Sequence, residues 1–349
     1  MNILIFGGSG FIGKDFLTRF RSNFTKVLVF RREGSTAFDG PIYNTVSKAE
    51  IDTLSDIDVA LHLAFDHSYA DNFWLADAAH RVCVNNSCPL VYLSSFVVRG
   101  VNNGELPENR LSSLSDPYTL EKIAIKNHLE SIFQKSDIPL IQVEPGIVFG
   151  SAGGWFEHVC HALLSDRIQL PRSGDNKAPF IYVGELSAYL YAKLSQTTFK
   201  DERILISGQL ISNWRAFYSL FGQICERKVD IYELTSKRMH SNFFLHCIMY
   251  LVIFTSLGKL VFFVTPLLKR MFKIISRSTN KVRSSLSGDS YGRTHRNYGI
   301  THLIQSTNFE LEEGVDGCVV LSGSVSEKDM IREMQIDCMV SPCLSTFKD

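Results

Sequence analysis

The sequence lacks an excess of charge of either sign. Its 349 residues include 36 Lys and Arg and 36 Asp and Glu, so the formal net charge is zero. Proteins that bind nucleic acid take much of their affinity from basic groups that face phosphates, and an excess of such groups is their usual signature. The charge balance therefore excludes nucleic-acid binding as the main task, and we expect no nucleic-acid partner.

The sequence also lacks the cysteine pattern of a zinc site or a disulfide scaffold. None of its eight cysteines belongs to a C-x-x-C pair, and no second pair of ligands stands at zinc-site spacing from the histidines near them. We therefore expect small buried thiols and no metal site. A secretory signal is lacking as well, because the opening residues pass directly into a short apolar run. A reducing cytoplasm is the expected location.

A glycine-rich turn between an apolar run and an amphipathic stretch is the strongest feature that the sequence does have. Residues 3–6 are wholly apolar, as expected for a parallel strand that is buried on both faces, and residues 14–21 predict a helix. In a dinucleotide-binding unit of this kind, the turn brings the backbone amides at the start of the helix close to a pyrophosphate. The predicted cofactor contacts in the turn are Gly7, Gly10, Phe11, Ile12 and Gly13; a tight turn that binds no ligand is the alternative.

The end of the second predicted strand bears on the choice of cofactor. Residues 26–30, apolar after Lys26, form the predicted strand, which leads into Arg31 and Arg32. In the usual arrangement an acidic residue at this place binds the ribose 2′-hydroxyl of NAD, whereas an arginine suits the 2′-phosphate of NADP. We therefore predict that NADP is favoured over NAD, with Arg31 as the contact. A solvated basic loop is the alternative.

Apolar runs and helical stretches then alternate along the chain. Strands are predicted at 58–64, 89–95 and 140–144, and helices at 70–84 and 117–133. Such alternation is typical of an α/β fold with a Rossmann-type doubly wound parallel sheet and right-handed crossovers. His62 lies within the first of these strands, and we interpret it as a satisfied core residue rather than a catalyst.

A tyrosine and a lysine at helical spacing form the second chemical signal. Tyr118 and Lys122 follow Asp116-Pro117, a typical helix start, and stand at i and i+4 on one helical face. An ammonium near a phenol favours the phenolate, which lets the tyrosine act in proton transfer. Ser95 ends a predicted strand, where doubly wound sheets place their ligands. We predict Ser95, Tyr118 and Lys122 as catalytic residues; for the last two, a surface pair is the alternative.

Over roughly residues 1–316, the sequence resembles the extended short-chain dehydrogenase/reductases, and among them the NAD(P)-dependent sugar-nucleotide epimerase/dehydratase family. The resembling segments include Gly7-Gly8-Ser9-Gly10-Phe11-Ile12-Gly13, Leu61-His62-Leu63-Ala64, Leu93-Ser94-Ser95 with Gly100, and Tyr118-Thr119-Leu120-Glu121-Lys122. The resemblance implies cofactor contacts at Leu63, Ala64 and Tyr118. It also implies that Lys122 holds the nicotinamide ribose and that Ser95 stabilises the substrate oxyanion.

Several positions depart from the pattern of the resembled family. Glu144 stands where the family often has Arg, and Ile147 where it often has an Asn that can help to hold the substrate. Arg99 directly precedes Gly100, at a position where the family commonly has a Tyr. Dehydratases of the family carry an Asp-Glu pair directly after the serine, whereas this chain has Phe96 and Val97, which cannot transfer protons. Dehydration is therefore disfavoured.

The resemblance implies an enzyme of nucleotide-sugar metabolism, of the kind used in polysaccharide biosynthesis, that moves a hydride between NAD(P) and a sugar carbon. The expected activity is that of an epimerase that acts on a nucleotide-sugar partner through a keto-sugar intermediate. An NADPH-dependent 4-ketoreductase of a nucleotide-sugar is the alternative oxidoreductase. A dinucleotide-binding module without catalytic activity is the third interpretation.

The resemblance also predicts the domain organisation. An NAD(P)-binding Rossmann domain is expected over 1–150, with returning sheet elements near 180–208. A smaller, mainly helical C-terminal substrate lobe is expected to interleave with it over 151–316. Residues 317–349 are expected to form a tail of unknown role, in which Ser326-x-x-Asp329 is typical of a helix cap.

An apolar block over residues 243–268 is the unusual part of the predicted lobe. Lys259 and Pro266 interrupt the block, and basic residues flank it. Three interpretations are open: buried helices of the lobe, an anchor on an anionic membrane surface through 243–273, and a single span. The first, with the helices buried or covered by a partner, is favoured; Lys259 and Pro266 fit a helix–turn–helix better than a span, in which a central Lys is unfavourable. The expected location is therefore cytoplasmic, with membrane association as the alternative, and a homodimer is also considered.

Overall fold

A computed structural model describes residues 1–31, 44–65, 68–99, 117–163, 168–233, 318–321 and 325–340. Its centre is a parallel sheet of eight strands, flanked by two short parallel strand pairs. The strands, in chain order, are β1 (Asn2–Phe6), β2 (Lys26–Phe30), β3 (Asn44–Val46), β4 (Val59–His62), β5 (Leu90–Leu93), β6 (Leu140–Pro145), β7 (Ile147–Phe149), β8 (Ile168–Leu170), β9 (Phe180–Tyr182), β10 (Glu202–Gly208), β11 (Ile231–Glu233) and β12 (Cys318–Leu321).

The strand order of the main sheet is that of a doubly wound fold. It runs β12-β10-β6-β5-β4-β1-β2-β3, and every pair is parallel. The chain thus builds outward from β1 on one side and then returns to build outward on the other. In such sheets ligands bind outside the carboxyl ends of the strands, where the direction of building reverses. The predicted fold class is confirmed, and by this rule a ligand crevice is expected beyond β1 and β4.

Seven helices of the described ranges cover the sheet and the smaller strand pairs. They are α1 (Phe11–Phe20), α2 (Tyr69–Asn86), α3 (Pro117–Phe133), α4 (Gly154–Leu163), α5 (Val183–Leu194), α6 (Trp214–Ile224) and α7 (Glu327–Val340). Helices α1 and α5 contact each other on one face of the sheet, and α2 and α3 do so on the other. Because both faces are covered, β4 and β5 are buried along their whole length.

A third apolar cluster, to which Leu205 of the main sheet also contributes, surrounds α4 and α6. Its aromatic rings are tightly packed, with the ring centroids of Phe180 and Phe217 4.4 Å apart and those of Phe180 and Trp214 5.0 Å apart. The amphipathic pattern of α6 explains this, since its apolar side chains face one side and are buried there. Many of its members come from the segment expected to form the substrate lobe, and others come from residues 96–97 and from α7.

The segment expected to be a C-terminal tail supplies part of the fold. Strand β12 pairs with β10 at the edge of the sheet, and α7 contacts α6. The guanidinium of Arg19 in α1 donates to both carboxylate oxygens of Glu333 in α7, at 3.1 and 2.7 Å, and the hydroxyl of Tyr182 donates to the same carboxylate at 2.6 Å. The Asp329 amide donates to the Ser326 hydroxyl oxygen at 3.1 Å, so the predicted helix cap is confirmed.

The predicted elements agree with the structure in kind and differ at some ends. The helix predicted over 117–133 has those bounds, whereas the strand predicted over 58–64 ends at His62. Within the described ranges, no helix combines the length and the apolarity that crossing a bilayer requires. The apolar block 243–268 and the flanking residues to 273 lie outside the described residues, as do Asp116 and Gly100.

Candidate active site

The glycine turn between β1 and α1 has the conformation that the sequence predicts. Gly7 adopts φ +84°, and a Cβ added to it would lie 2.5 Å from the backbone nitrogen of Ala64. A Cβ added to Gly13 would lie 2.3 Å from the Gly7 carbonyl oxygen. Only glycine fits at either position, because the first needs a left-handed conformation and the second a close approach of helix to turn. The Gly10 amide closes the turn by donating to the Gly7 carbonyl at 3.0 Å.

The start of α1 is suited to an anion. Its N-cap residue, Gly10, has no side chain to cap the helix, and the first turn contains no acidic residue. The first amides of a helix have no partner within the helix, so those of Phe11, Ile12 and Gly13 point out of its positive end. The ring of Phe11 packs against Gly153, where an added Cβ would lie 2.8 Å from it, which leaves the backbone for cofactor contacts. These residues fit the pyrophosphate of a dinucleotide.

The other predicted cofactor residues lie at the same edge of the sheet. Leu63 follows β4, and its amide donates to the Phe6 carbonyl at 2.8 Å, which brings Leu63 and Ala64 beside the glycine turn. Arg31 follows β2 and is exposed, and its amide donates to the Val46 carbonyl at 2.8 Å. The residue after it, Arg32, lies outside the described residues. The structure therefore places this group of predicted contacts at the ends of three neighbouring strands, β4, β1 and β2.

Helix α3 carries Tyr118 and Lys122 to the neighbouring strand ends. The Lys122 ammonium donates to the Leu93 carbonyl at the end of β5, at 3.4 Å, and lies 5.8 Å from the centre of the Tyr118 ring. Lys122 is only 4% exposed, whereas Tyr118 is 38% exposed. The phenol is therefore more exposed than the lysine behind it. The predicted juxtaposition of the two side chains is present.

Aromatic rings enclose the Lys122 ammonium. Its nitrogen lies 4.6 Å from the centre of the Phe65 ring and 5.6 Å from that of Tyr92. Cations are attracted to ring faces, but such contacts replace water only in part. Burial accordingly lowers the pKa of Lys122 to about 8, against a smaller opposing effect of the Glu121 carboxylate. The sequence analysis did not identify Phe65, although its position directly after the Leu63-Ala64 pair was available as a signal.

Ser95 lies just beyond the end of β5, in the segment that Lys122 contacts. Its side chain is buried, and its carbonyl accepts a hydrogen bond from the Val98 amide at 3.2 Å, which begins the short 3₁₀ turn Phe96–Arg99. The Ser94 amide donates to the Val143 carbonyl of β6 at 2.8 Å. The sheet thus holds the backbone on the N-terminal side of Ser95, and the 3₁₀ turn holds it on the other.

His62, interpreted as a satisfied core residue, is buried but is not satisfied. Its ring stacks on Phe6, meets Tyr92 edge to face with both centroid distances 5.4 Å, and neither ring nitrogen has a hydrogen-bond partner among the described residues. Burial, with a smaller effect of the positive charge of Lys122, lowers the pKa of His62 to about 3. The interpretation was wrong in this respect, because an apolar strand pattern shows burial and says nothing about partners.

Two of the positions that depart from the resembled family are partners in space. The Glu144 carboxylate is 0% exposed, and it accepts hydrogen bonds from Arg99 on one oxygen and from Arg203 of β10 on the other. Arg99 ends the 3₁₀ turn that follows Ser95, so this buried ion-pair cluster ties that turn to β6 and β10. The side chains of Phe96 and Val97 in the same turn are buried in the apolar cluster around α4 and α6.

A sequence model of the NAD dependent epimerase/dehydratase family matches residues 3–206, which is more than half of the chain. The matched segment contains the glycine turn, Ser95, Tyr118 and Lys122. No curated protein matches the chain.

Solved structures resemble the chain in fold. A UDP-glucuronic acid 4-epimerase from Bacillus cereus, in complex with UDP-glucuronic acid and NAD, is 17% identical with a TM-score of 0.55, and the match covers 68% of this chain and 87% of that chain. A UDP-N-acetylglucosamine 4-epimerase from Methanobrevibacter ruminantium, in complex with UDP-N-acetylmuramic acid, is 20% identical with a TM-score of 0.53, covering 68% and 86%. A UDP-glucose 4-epimerase from Thermus thermophilus, in complex with NAD, is 15% identical with a TM-score of 0.52, covering 68% and 88%.

Proposed function

This chain belongs to the NAD dependent epimerase/dehydratase family, and we propose that it is a nucleotide-sugar epimerase that acts through a keto-sugar intermediate. The observation that carries the proposal is the position of Lys122. Its ammonium contacts the strand end that leads to Ser95 and lies beside the ring of the accessible Tyr118. Ser95, Tyr118 and Lys122 are therefore proposed as the catalytic residues.

The chain's own groups have separate tasks in this proposal. The Tyr118 phenolate accepts the proton of a sugar hydroxyl, and the charge of Lys122 favours the phenolate. The Ser95 hydroxyl donates a hydrogen bond to the same sugar oxygen. The glycine turn and the first amides of α1 hold the pyrophosphate of NAD(P), which when bound supplies the hydride acceptor and donor.

The proposed reaction is epimerisation rather than dehydration or net reduction. Phe96 and Val97 are apolar and buried next to Ser95, so the position lacks the acid and base that dehydration needs. The three solved relatives described above are named as 4-epimerases of UDP-sugars, which supports a nucleoside-diphosphate sugar as the substrate. A 4-ketoreductase remains the second candidate, because Arg31 favours NADP.

The cofactor is proposed to be NAD or NADP, and the chain and its relatives favour different ones of the two. Arg31 lies at the end of β2, where an arginine suits the 2′-phosphate of NADP. Two of the solved relatives are described in complex with NAD. Binding titrations of the two oxidised cofactors would decide between them, since tighter binding of NADP would require a 2′-phosphate contact.

The domain division 1–150 and 151–316, a cytoplasmic location and a homodimer are kept as proposals. Contact with a membrane surface through residues 243–273 is also a proposal. It depends on the sequence pattern alone, because these residues lie outside the described ranges.

Incubation with a panel of nucleotide-sugars and their 4-keto forms tests the reaction. Product formed at constant NAD(P)H absorbance is the result expected of an epimerase. Loss of NADPH in equal amount to product would contradict the epimerase and support the reductase.

Replacement of Tyr118 by Phe tests the catalytic assignment. We expect Tyr118→Phe to lower kcat by about 10²–10⁴-fold, because it removes the proton acceptor, while the affinity for NAD(P) stays unchanged. Tyr232→Phe, at an exposed tyrosine of β11, is the matched control and should keep full activity. Undiminished turnover by Tyr118→Phe would show that Tyr118 does not transfer the proton.

A further inference from the structure

Two consecutive residues of β6 hold the segment that contains Ser95, one at each end. The Ser94 amide donates to the Val143 carbonyl at 2.8 Å. Beyond Ser95, Arg99 Nε donates to the carboxylate of Glu144, the residue that follows Val143. Ser95 lies between these two attachments, so β6 fixes the backbone on both sides of it.

The turn after Ser95 is short enough to pass on a change at its far end. The Val98 amide donates to the Ser95 carbonyl at 3.2 Å, and Arg99 ends the 3₁₀ turn of four residues. Burial of Phe96 and Val97 also anchors the turn, but apolar contacts have no preferred direction. A hydrogen bond between charged groups sets both a distance and a direction. The ion pair of Arg99 is therefore the contact that orients the turn.

Glu144 has little freedom to move. Its side chain is 0% exposed, and Leu205, which lies opposite it on β10, belongs to the apolar cluster around α4 and α6. In apolar surroundings a hydrogen bond between charges is stronger than in water, and an unpaired carboxylate is strongly unfavourable. Arg203 of β10 donates to the second carboxylate oxygen. The carboxylate is thus held in place between a neighbouring strand and the turn.

We propose that Arg99 and Glu144 are positioning residues that keep the Ser95 hydroxyl where it donates to the sugar oxygen; this rests on the proposed function. Arg99 ties the turn to Glu144, whereas Arg203 binds the same carboxylate from β10 and is not part of the turn. Loss of the Arg99 side chain should therefore displace Ser95 and slow the step that it assists, although no group proposed to contact the substrate is removed.

Arg99→Met and Arg203→Met form a matched pair of variants. Each removes one guanidinium from the same buried carboxylate and leaves the other in place, so we expect both to lose a similar amount of stability. Only the first frees the turn. We expect kcat to fall by about 10- to 100-fold in Arg99→Met, because a misplacement of about 1 Å can cost about 10²-fold, and to stay close to that of the unmutated protein in Arg203→Met. Equal kcat values in the two variants would overturn the proposal.

A double-mutant cycle shows whether Arg99 acts through Ser95. If Arg99 positions the Ser95 hydroxyl, its replacement should have little further effect once Ser95→Ala has removed that hydroxyl. We therefore expect Arg99→Met to lower kcat in the unmutated protein and to leave kcat unchanged in Ser95→Ala. An equal fold-loss of kcat in both backgrounds would show that Arg99 acts on something other than Ser95, which would contradict the proposal.

Hydrogen exchange at the Val98 amide tests the same link without any need for turnover. This amide bonds to the Ser95 carbonyl, so it exchanges when the turn opens. Arg99→Met should speed its exchange, and Arg203→Met should leave it slow. Equal rates in the unmutated protein and in Arg99→Met would overturn the proposal. An unmutated protein that turns over no nucleotide-sugar would instead contradict the proposed function, and the exchange rates would still decide whether Arg99 holds the turn.

Discussion

Two buried charges lie at the carboxyl edge of the sheet, and the fold treats them differently. Glu144 is 0% exposed and has an arginine on each carboxylate oxygen. Lys122 is 4% exposed and has a carbonyl at 3.4 Å and aromatic ring faces around it. The first charge is therefore paired within the chain, and the second is stabilised only in part.

This difference is the one expected between a structural ion pair and a group that serves a ligand. A buried charge is strongly unfavourable unless it is paired and hydrogen-bonded, so an incompletely stabilised one persists only where the rest of the fold compensates. Perturbed titratable groups of this kind are concentrated at functional sites. The contrast between Glu144 and Lys122 thus supports the assignment of Lys122, rather than the Glu144 cluster, to the chemistry.

The largest expected effect is the loss of the Glu144 charge. Glu144→Gln keeps the shape of the side chain but leaves Arg99 and Arg203 without their shared carboxylate. We expect the free energy of unfolding to fall by about 3–5 kcal/mol, the usual result of removing one partner from a buried ion pair. The measurement is unfolding in urea followed by circular dichroism.

The control for Glu144 is Glu130→Gln, since the Glu130 carboxylate is one third exposed beside Lys126. Surface pairs of that kind contribute about 0–1 kcal/mol. A urea midpoint of Glu144→Gln equal to that of Glu130→Gln would mean that the Glu144 cluster does not stabilise the fold.

Removal of the Lys122 charge should instead raise the free energy of unfolding. The pKa of Lys122 is lowered from 10.5 to about 8 in the folded chain, so between those values the unfolded chain binds the proton and the folded chain does not. Stability of the unmutated protein therefore rises with pH across this window, and below it the unfavourable burial acts in full. We expect Lys122→Met to stabilise the fold by about 1–3 kcal/mol at pH 7, with the gain shrinking as the pH approaches 10.

A second buried lysine provides the comparison for this prediction. Lys193 is buried as well, but it forms an ion pair with Glu202. Lys193→Met should destabilise the protein, because it leaves that carboxylate unpaired. Urea unfolding of both variants at pH 7 and pH 10 measures the effect, and a pH-independent gain in Lys122→Met would contradict the unfavourable burial of its charge.

Local patterns in the sequence predicted the parts of this arrangement that depend on neighbouring residues. The glycine turn follows from a strand-glycine-helix order, and the pairing of Tyr118 with Lys122 follows from the period of one helix. The ion pairs of Glu144 could not be predicted, because Arg99 and Arg203 stand 45 and 59 residues away from it. No periodicity encodes such a contact, which exists only once the sheet order is known.

The place of residues 318–321 and 325–340 in the fold was hidden for the same reason. Arg19 and Glu333 are 314 residues apart in sequence, and their contact joins the first described helix to the last. Strand β12 pairs in parallel with β10, and parallel neighbours need no short turn between them that a sequence pattern would show. The segment from 317 onward therefore gave a sequence signal only at its helix cap, Ser326.

The smallest expected effect is that of replacing His62, a buried polar side chain that, unlike Glu144, has no partner among the described residues. Neither nitrogen of its ring has a hydrogen-bond partner there. His62→Phe keeps the contacts with Phe6 and Tyr92 and removes the unpartnered nitrogens, so we expect a gain of about 1 kcal/mol in the free energy of unfolding at pH 7. The pKa of His62 is lowered from 6.5 to about 3 in the folded chain. Between these values only the unfolded chain takes up the proton, so the unmutated protein loses stability as the pH falls below 6.5 and the advantage of His62→Phe grows there.

His128→Phe is the control, because the His128 ring also packs on a phenylalanine but has a partner, Asp77, at 2.6 Å. A gain in His128→Phe as large as that in His62→Phe would show that ring substitution, and not the unpartnered nitrogens, is responsible.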